Sequence, residues 1–193
     1  MSPAGLLLAA GQGRRYGMPK ALARLPDGEP LVRRALRTLR EGGCDPVVVV
    51  LGAGADEVPP LPDAQVVVNE DWATGLGSSL RTGLAALPEE VQAVVVLLVD
   101  TPGITPQAVR RVAAGARAQT LRVATYGGEG GHPVLLGRDH WDGAGRLAVG
   151  DVGARPYLVT QLVEEVPCDD VADGTDIDSP ADLDPAVPRD RDA

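Results

Sequence analysis

Apolar residues fall along this chain in short unbroken runs, separated by glycine-rich or charged segments. The first run covers residues 4–10. Continuous apolarity without alternation predicts a strand buried on both faces, as in a parallel sheet. Pro46-Val-Val-Val-Val-Leu51 predicts a second buried strand and Gln65-Val-Val-Val68 a third. Ala93-Val-Val-Val-Leu-Leu-Val99 is the most hydrophobic run and predicts a central strand. Leu121–Thr125, Pro133–Leu136 and Leu162–Val166 are further extended candidates, with a glycine turn over 127–131.

Between these runs the period changes. Leu31, Ala35, Leu36 and Leu39 share a helical face, Pro30 suits a first turn, and Gly42-Gly43 ends the helix. Ser78–Leu87 predicts a helix with a serine as its cap. Thr105 and Pro106 open another, running to about Ala118. The stretch 138–161 is mixed, with helical pieces near Gly150–Arg155, and Gly174–Leu183 reads as a turn into a short helix. Alternating strands and helices predict an α/β fold with a doubly wound, mostly parallel sheet. Residues 1–183 are expected to form one domain. The charged, proline-containing tail 184–193 is expected to be disordered.

Composition narrows the partners. The 193 residues carry a net charge of −9, which argues against nucleic acid. Cys44 and Cys168 stand far apart and form neither a zinc nor a Cys-x-x-Cys pattern, so two reduced structural thiols are expected. No run reaches the roughly 18 apolar residues of a membrane span. Met1-Ser-Pro-Ala does not resemble a signal peptide, and a cytoplasmic protein is expected.

The chemistry concentrates after the first strand. Gly11-Gln-Gly13-Arg-Arg-Tyr-Gly17-Met-Pro-Lys20 combines glycines, which let backbone N–H groups approach an anion, with Arg14, Arg15 and Lys20. It is one residue too long for Gly-x-Gly-x-x-Gly, and the second strand is not followed by a ribose-binding acid. It also lacks Gly-Lys-Ser/Thr. What remains is a phosphate loop of another kind, against the plainer reading of a strand-to-helix turn. Asp100 leaves the central strand and is either a cap for Thr101-Pro-Gly103 or a metal ligand. Asp176 and Asp178 are either caps for the last helix or a second acidic site. If the first and central strands are neighbours, loop and carboxylate meet in one cleft, as a metal–nucleotide complex requires. Ser78 and Ser79 either begin a helix or touch a base or ribose. His132 is a packing residue or a substrate contact. Asp151 and Arg155 could pair at i, i+4. Trp72 and Trp141 are expected to pack.

Leu8-Ala-Ala-Gly-Gln-Gly-Arg-Arg-Tyr-Gly-Met-Pro-Lys20 resembles the signature loop of MobA-like nucleotidyltransferases. Further segments agree in order: Gly75-Leu-Gly-Ser-Ser-Leu80, Leu98-Val-Asp-Thr-Pro102, Gly131-His-Pro-Val-Leu-Leu136, Gly150-Asp-Val-Gly-Ala-Arg155 and Asp176-Ile-Asp-Ser-Pro180. The Gly-His-Pro-Val and Gly-Asp-x-Gly-Ala-Arg segments resemble the molybdenum cofactor cytidylyltransferase branch. The resemblance implies a three-layer Rossmann-like nucleotidyltransferase fold. It implies transfer of a nucleoside monophosphate, CMP foremost, from Mg-NTP to a phosphorylated acceptor such as molybdopterin, with release of pyrophosphate. A molybdoenzyme or cofactor-insertion protein is the partner it implies. Carried over by position, Leu8, Ala9, Ala10, Gly11, Gly13, Arg14, Lys20, Ser78 and Ser79 would bind nucleotide. Arg14, Lys20 and Asp100 would be catalytic. Asp100 and Asp178 would hold Mg2+, and His132, Asp151 and Arg155 would face the acceptor. Two other functions fit the same scaffold: an NAD(P)H-dependent reductase of the nicotine blue oxidoreductase type, and a non-catalytic cofactor-binding protein.

Overall fold

A computed structural model describes residues 2–183, and the expected tail 184–193 lies outside the described residues. Seven strands form one sheet. In chain order the elements are β1 (Ala4–Ala9), α1 (Leu31–Glu41), β2 (Val47–Leu51), β3 (Gln65–Val68), α2 (Leu76–Ala85), β4 (Ala93–Leu98), α3 (Pro106–Ala113), β5 (Leu121–Tyr126), β6 (Glu129–Gly137), α4 (Trp141–Leu147), α5 (Arg155–Leu158) and β7 (Glu164–Pro167). The strand order is β3-β2-β1-β4-β6-β5-β7. β6 runs against β4 and β5, and the other neighbouring pairs are parallel.

Alternation along the strands makes the layers. Leu7, Val49, Val95 and Leu97 point to one side, where Leu31, Leu36 and Leu39 of α1 and Val109 and Val112 of α3 meet them. Leu6, Leu8, Val48, Val50, Val94 and Val96 point to the other, onto Leu80 and Leu84 of α2 and Trp141 and Ala144 of α4. Both faces are covered, so β1, β2 and β4 read as unbroken apolar runs. The result is a three-layer α/β sandwich around a mostly parallel, doubly wound sheet.

β1 and β4 are neighbours, with Leu8 opposite Leu98, so the glycine loop and Asp100 leave the same sheet edge. Several boundaries depart from expectation. β3 is an edge strand rather than a buried one, with Val66 and Val68 exposed. α2 begins at Leu76 after Gly75, so neither serine caps it. α3 stops at Ala113 because Ala114 turns extended and Gly115 takes φ +63°. The glycine turn is only Gly127-Gly128, both at positive φ, as a two-residue hairpin with the sheet's twist requires. Gly130 and Gly131 already pair within β6.

Candidate active site

The carboxyl ends of β1 and β4 open into a cleft of about 690 Å3. The loop after β1 forms one wall. Gly13 takes φ +62°, and a Cβ there would lie 2.0 Å from the Met18 carbonyl oxygen, so no other residue closes this turn without strain. The Gly17 N–H donates to the Gly13 carbonyl at 2.8 Å and folds the loop back on itself. That fold carries Lys20 across the mouth of β4.

Lys20 Nζ donates to Asp100 Oδ2 at 2.8 Å and to Asp178 Oδ1 at 3.3 Å. Arg15 Nη1 reaches Asp178 Oδ2 at 3.2 Å. Burial pulls the Lys20 pKa down, but the hydrogen bonds and charges of Asp100 and Asp178 outweigh it and leave the ammonium above its ordinary value. Asp178 comes from the far end of the chain. It arrives there because Ile177 is buried and its N–H donates to the Asp100 carbonyl at 2.8 Å. Asp176 and Asp178 flank that anchor, and both line the cleft.

The opposite wall carries no cation: Trp72, Ala73, Thr74, Gly75, Leu76 and Ser79. The glycines of the α2 segment permit a close backbone crossing. A Cβ on Gly75 would lie 2.3 Å from the Gly150 carbonyl carbon, and one on Gly77 would lie 2.2 Å from the Ala148 carbonyl oxygen. The Gly77 N–H donates to the Gly150 carbonyl at 2.9 Å. The Gly75–Leu80 and Gly150–Arg155 segments of the sequence thus meet, and the contact brings Asp151 to the cleft.

Of the expected site residues, Leu8, Ala10, Gly11, Gly13, Arg14, Lys20, Ser79, Asp100, Asp151 and Asp178 line this cleft. Ala9 packs in the core on the other face of β1. Ser78 is 6% exposed and bonded to Asn69, Asp71 and Gly75. His132 is partly buried near Asp100 and Asp176; burial holds its pKa below the ordinary value, and those two acids partly offset this. Its carbonyl accepts from the Tyr126 hydroxyl at 2.7 Å. Arg155 is exposed at the start of α5, and among the described residues it forms no ion pair with Asp151, which precedes that helix. Trp141 packs as expected, whereas Trp72 also faces the cleft. Asn69 escaped the sequence reading. Its signal was a polar residue at a strand end two positions before Asp71, the spacing of a local side-chain turn.

The site suits a metal-bound polyphosphate. One oxygen of Asp100, Oδ1, is buried without a hydrogen-bond partner, and Asp178 shares Lys20 with the other oxygen. Two carboxylates with the remaining positions left to phosphate and water are what Mg2+ takes, and among the described residues no group of three or more His, Cys, Asp or Glu is arranged to hold a metal ion by itself. Among those residues, too, no helix is long and apolar enough to cross a membrane.

A cationic glycine loop after β1, Asp100 after the neighbouring β4, and Asp178 brought to them by the C-terminal segment fit an enzyme of the nucleotidyltransferase class. Residues 5–166 match the MobA-like NTP transferase domain, and the chain belongs to that family. It is 38% identical over 189 residues to nicotine blue oxidoreductase of Paenarthrobacter nicotinovorans, covering 91% of each chain. It is 31% identical over 160 residues to the molybdenum cofactor guanylyltransferase of Rhodobacter capsulatus, covering 75% of this chain and 68% of that one. Among solved structures it is similar to Rv0371C of Mycobacterium tuberculosis H37Rv in complex with manganese, with a TM-score of 0.72 and 26% identity, covering 86% of this chain and 88% of that one.

Proposed function

We propose that this enzyme transfers a nucleoside monophosphate, CMP foremost, from Mg-NTP to the terminal phosphate of a molybdopterin-type acceptor. The observation that carries the reading is Lys20 lying between Asp100 and Asp178 beside the glycine loop. An acceptor phosphate oxygen attacks the α-phosphorus, the bond to the β-phosphate oxygen breaks, and pyrophosphate leaves. The backbone of Gly11–Gly13 and Arg14 hold the triphosphate. Lys20 stabilises charge on the α-phosphate and the leaving group, and Asp151 faces the acceptor. Asp100 and Asp178 would hold Mg2+, with Asp176 as the competing second ligand; the ion, when bound, neutralises phosphate charge. No protein nucleophile is needed. The manganese complex of Rv0371C supports divalent-metal use.

CTP is favoured by the Gly131-His-Pro-Val and Gly150-Asp-Val-Gly-Ala-Arg segments, and the guanylyltransferase relative makes GTP its competitor. A second reading, an NAD(P)H-dependent reductase, draws on the 38% identity to nicotine blue oxidoreductase across nearly the whole of both chains. The test is pyrophosphate release with each of the four NTPs, Mg2+ and molybdopterin, beside an NAD(P)H-oxidation control with an oxidised quinone-like dye. Release with CTP alone supports the first reading. NAD(P)H oxidation without pyrophosphate release supports the second and sinks the first.

A further inference from the structure

Asn69 stands behind the cleft, 3% exposed at the carboxyl end of β3, where its N–H donates to the Leu51 carbonyl at 2.8 Å. Its side-chain Oδ1 accepts the Asp71 backbone N–H at 3.0 Å. A backbone N–H can only donate, so this contact fixes which way the amide points. Nδ2 therefore faces the serines and donates to Ser78 Oγ at 2.8 Å and Ser79 Oγ at 3.0 Å. Ser78 directs its own proton to the carbonyls of Asp71 and Gly75, at 3.0 and 2.8 Å, and its hydroxyl is fully engaged. Ser79 differs. Its oxygen is held as an acceptor by Asn69, and among the described residues no acceptor takes its proton. Ser79 is also the serine that lines the cleft. It does so on the wall that carries no cation, opposite the loop that suits phosphate, which leaves this wall for the base.

We propose that Asn69 is a positioning residue that, by occupying one lone pair of Ser79, orients the hydroxyl so that its free proton is offered to the nucleotide base. The wall then selects a base that presents an acceptor there, a carbonyl oxygen or an unprotonated ring nitrogen, as O2 and N3 of cytosine do. A base presenting N–H at that point turns the Ser79 proton away to where no described residue accepts it, and binds more weakly. The inference rests on the nucleotide reading above and adds to it the residue that orients the hydroxyl.

Equilibrium binding of α,β-methylene-CTP and α,β-methylene-GTP with Mg2+ tests this in the wild type, Ser79→Ala, Asn69→Asp and the double variant. Melting curves check folding. Ser79→Ala weakens binding of the preferred analogue roughly tenfold, the range of one neutral hydrogen bond. Asn69→Asp puts an acceptor where Nδ2 was and draws the Ser79 proton away from the cleft, with a similar loss. The double variant binds no more weakly than Ser79→Ala alone, because Asn69 acts through Ser79. If Asn69→Asp does not fold, Asn69→Ser takes its place in the same cycle. Additive losses, or unchanged affinity in both single variants, overturn the inference while leaving the nucleotide reading intact. A wild type that binds neither analogue overturns both.

Discussion

At Lys20 one ammonium serves two carboxylates that lie 78 residues apart in sequence, Asp100 and Asp178. Its side chain is 14% exposed and that of Asp100 19%, so the pair interacts with little water between them. A structural ion pair alone would need only one acid. Lys20→Ala and Asp100→Asn are each expected to lower pyrophosphate release by at least roughly 100-fold, the scale of losing a group aimed at transition-state charge. Both variants should still melt in one cooperative transition by circular dichroism. A near-native rate in either would remove the assigned role. Lys20 and Asp100 were legible in the sequence because charge at the end of an apolar run has few purely structural uses. Asn69 was not, since a buried amide acting through a second side chain leaves no periodic or charged signature. The Ser78 and Ser79 alternatives also stayed open in sequence, because capping and lining a cleft call for the same residue type.

Among the elements, the contact between the start of α2 and the 148–150 segment carries the sharpest stability expectation. A Cβ at Gly77 would meet a backbone carbonyl, which cannot swing aside as a side chain would. Gly77→Ala is expected to cost about 1–3 kcal/mol, the range for overpacking, despite the helix propensity alanine adds. Urea unfolding measures it, and an unchanged midpoint would mean that the two segments separate freely. At the other sheet edge, Arg111 of α3 forks onto Asp170 just after β7, at 2.6 and 2.8 Å. The hydrogen bonds from Arg111 hold the Asp170 carboxyl below its ordinary value of 3.8. A depressed carboxylate stabilises the fold fully above its unfolded pKa, and that stability is lost as pH falls through the folded one. The difference in urea midpoint between wild type and Asp170→Asn should therefore be constant above about pH 5 and shrink as the pH is lowered below about 4. Because the pair is exposed, the difference should also be small and salt-sensitive. A difference that grew on acidification would reverse the assigned sign. The sequence revealed most elements but not their order across the sheet. A valine-rich edge such as β3 resembles a buried strand until its neighbours are known.

Across the whole molecule, both thiols lie in the core, Cys44 at 2% and Cys168 at 0% exposure. Burial pushes the Cys44 thiol up to about 12 and also raises Cys168, with Arg111 partly opposing that rise. Neither offers a thiolate to solvent at neutral pH. Labelling with a disulfide reagent is expected to be negligible in the native protein and to follow global unfolding in urea. Labelling of Cys168 ahead of the unfolding transition would show that the β7 end opens separately. The crossing of Gly75 and Gly77 over Ala148–Gly150 has a consequence for how relatives diverge. Two main chains in direct contact cannot vary independently. A lineage that replaces either glycine by a larger residue must shift or shorten the 148–150 stretch in step. That change moves Asp151 relative to the phosphate loop. The glycine loop and Asp151 are therefore expected to drift together over evolutionary time, while the exposed face of α5 remains free to vary.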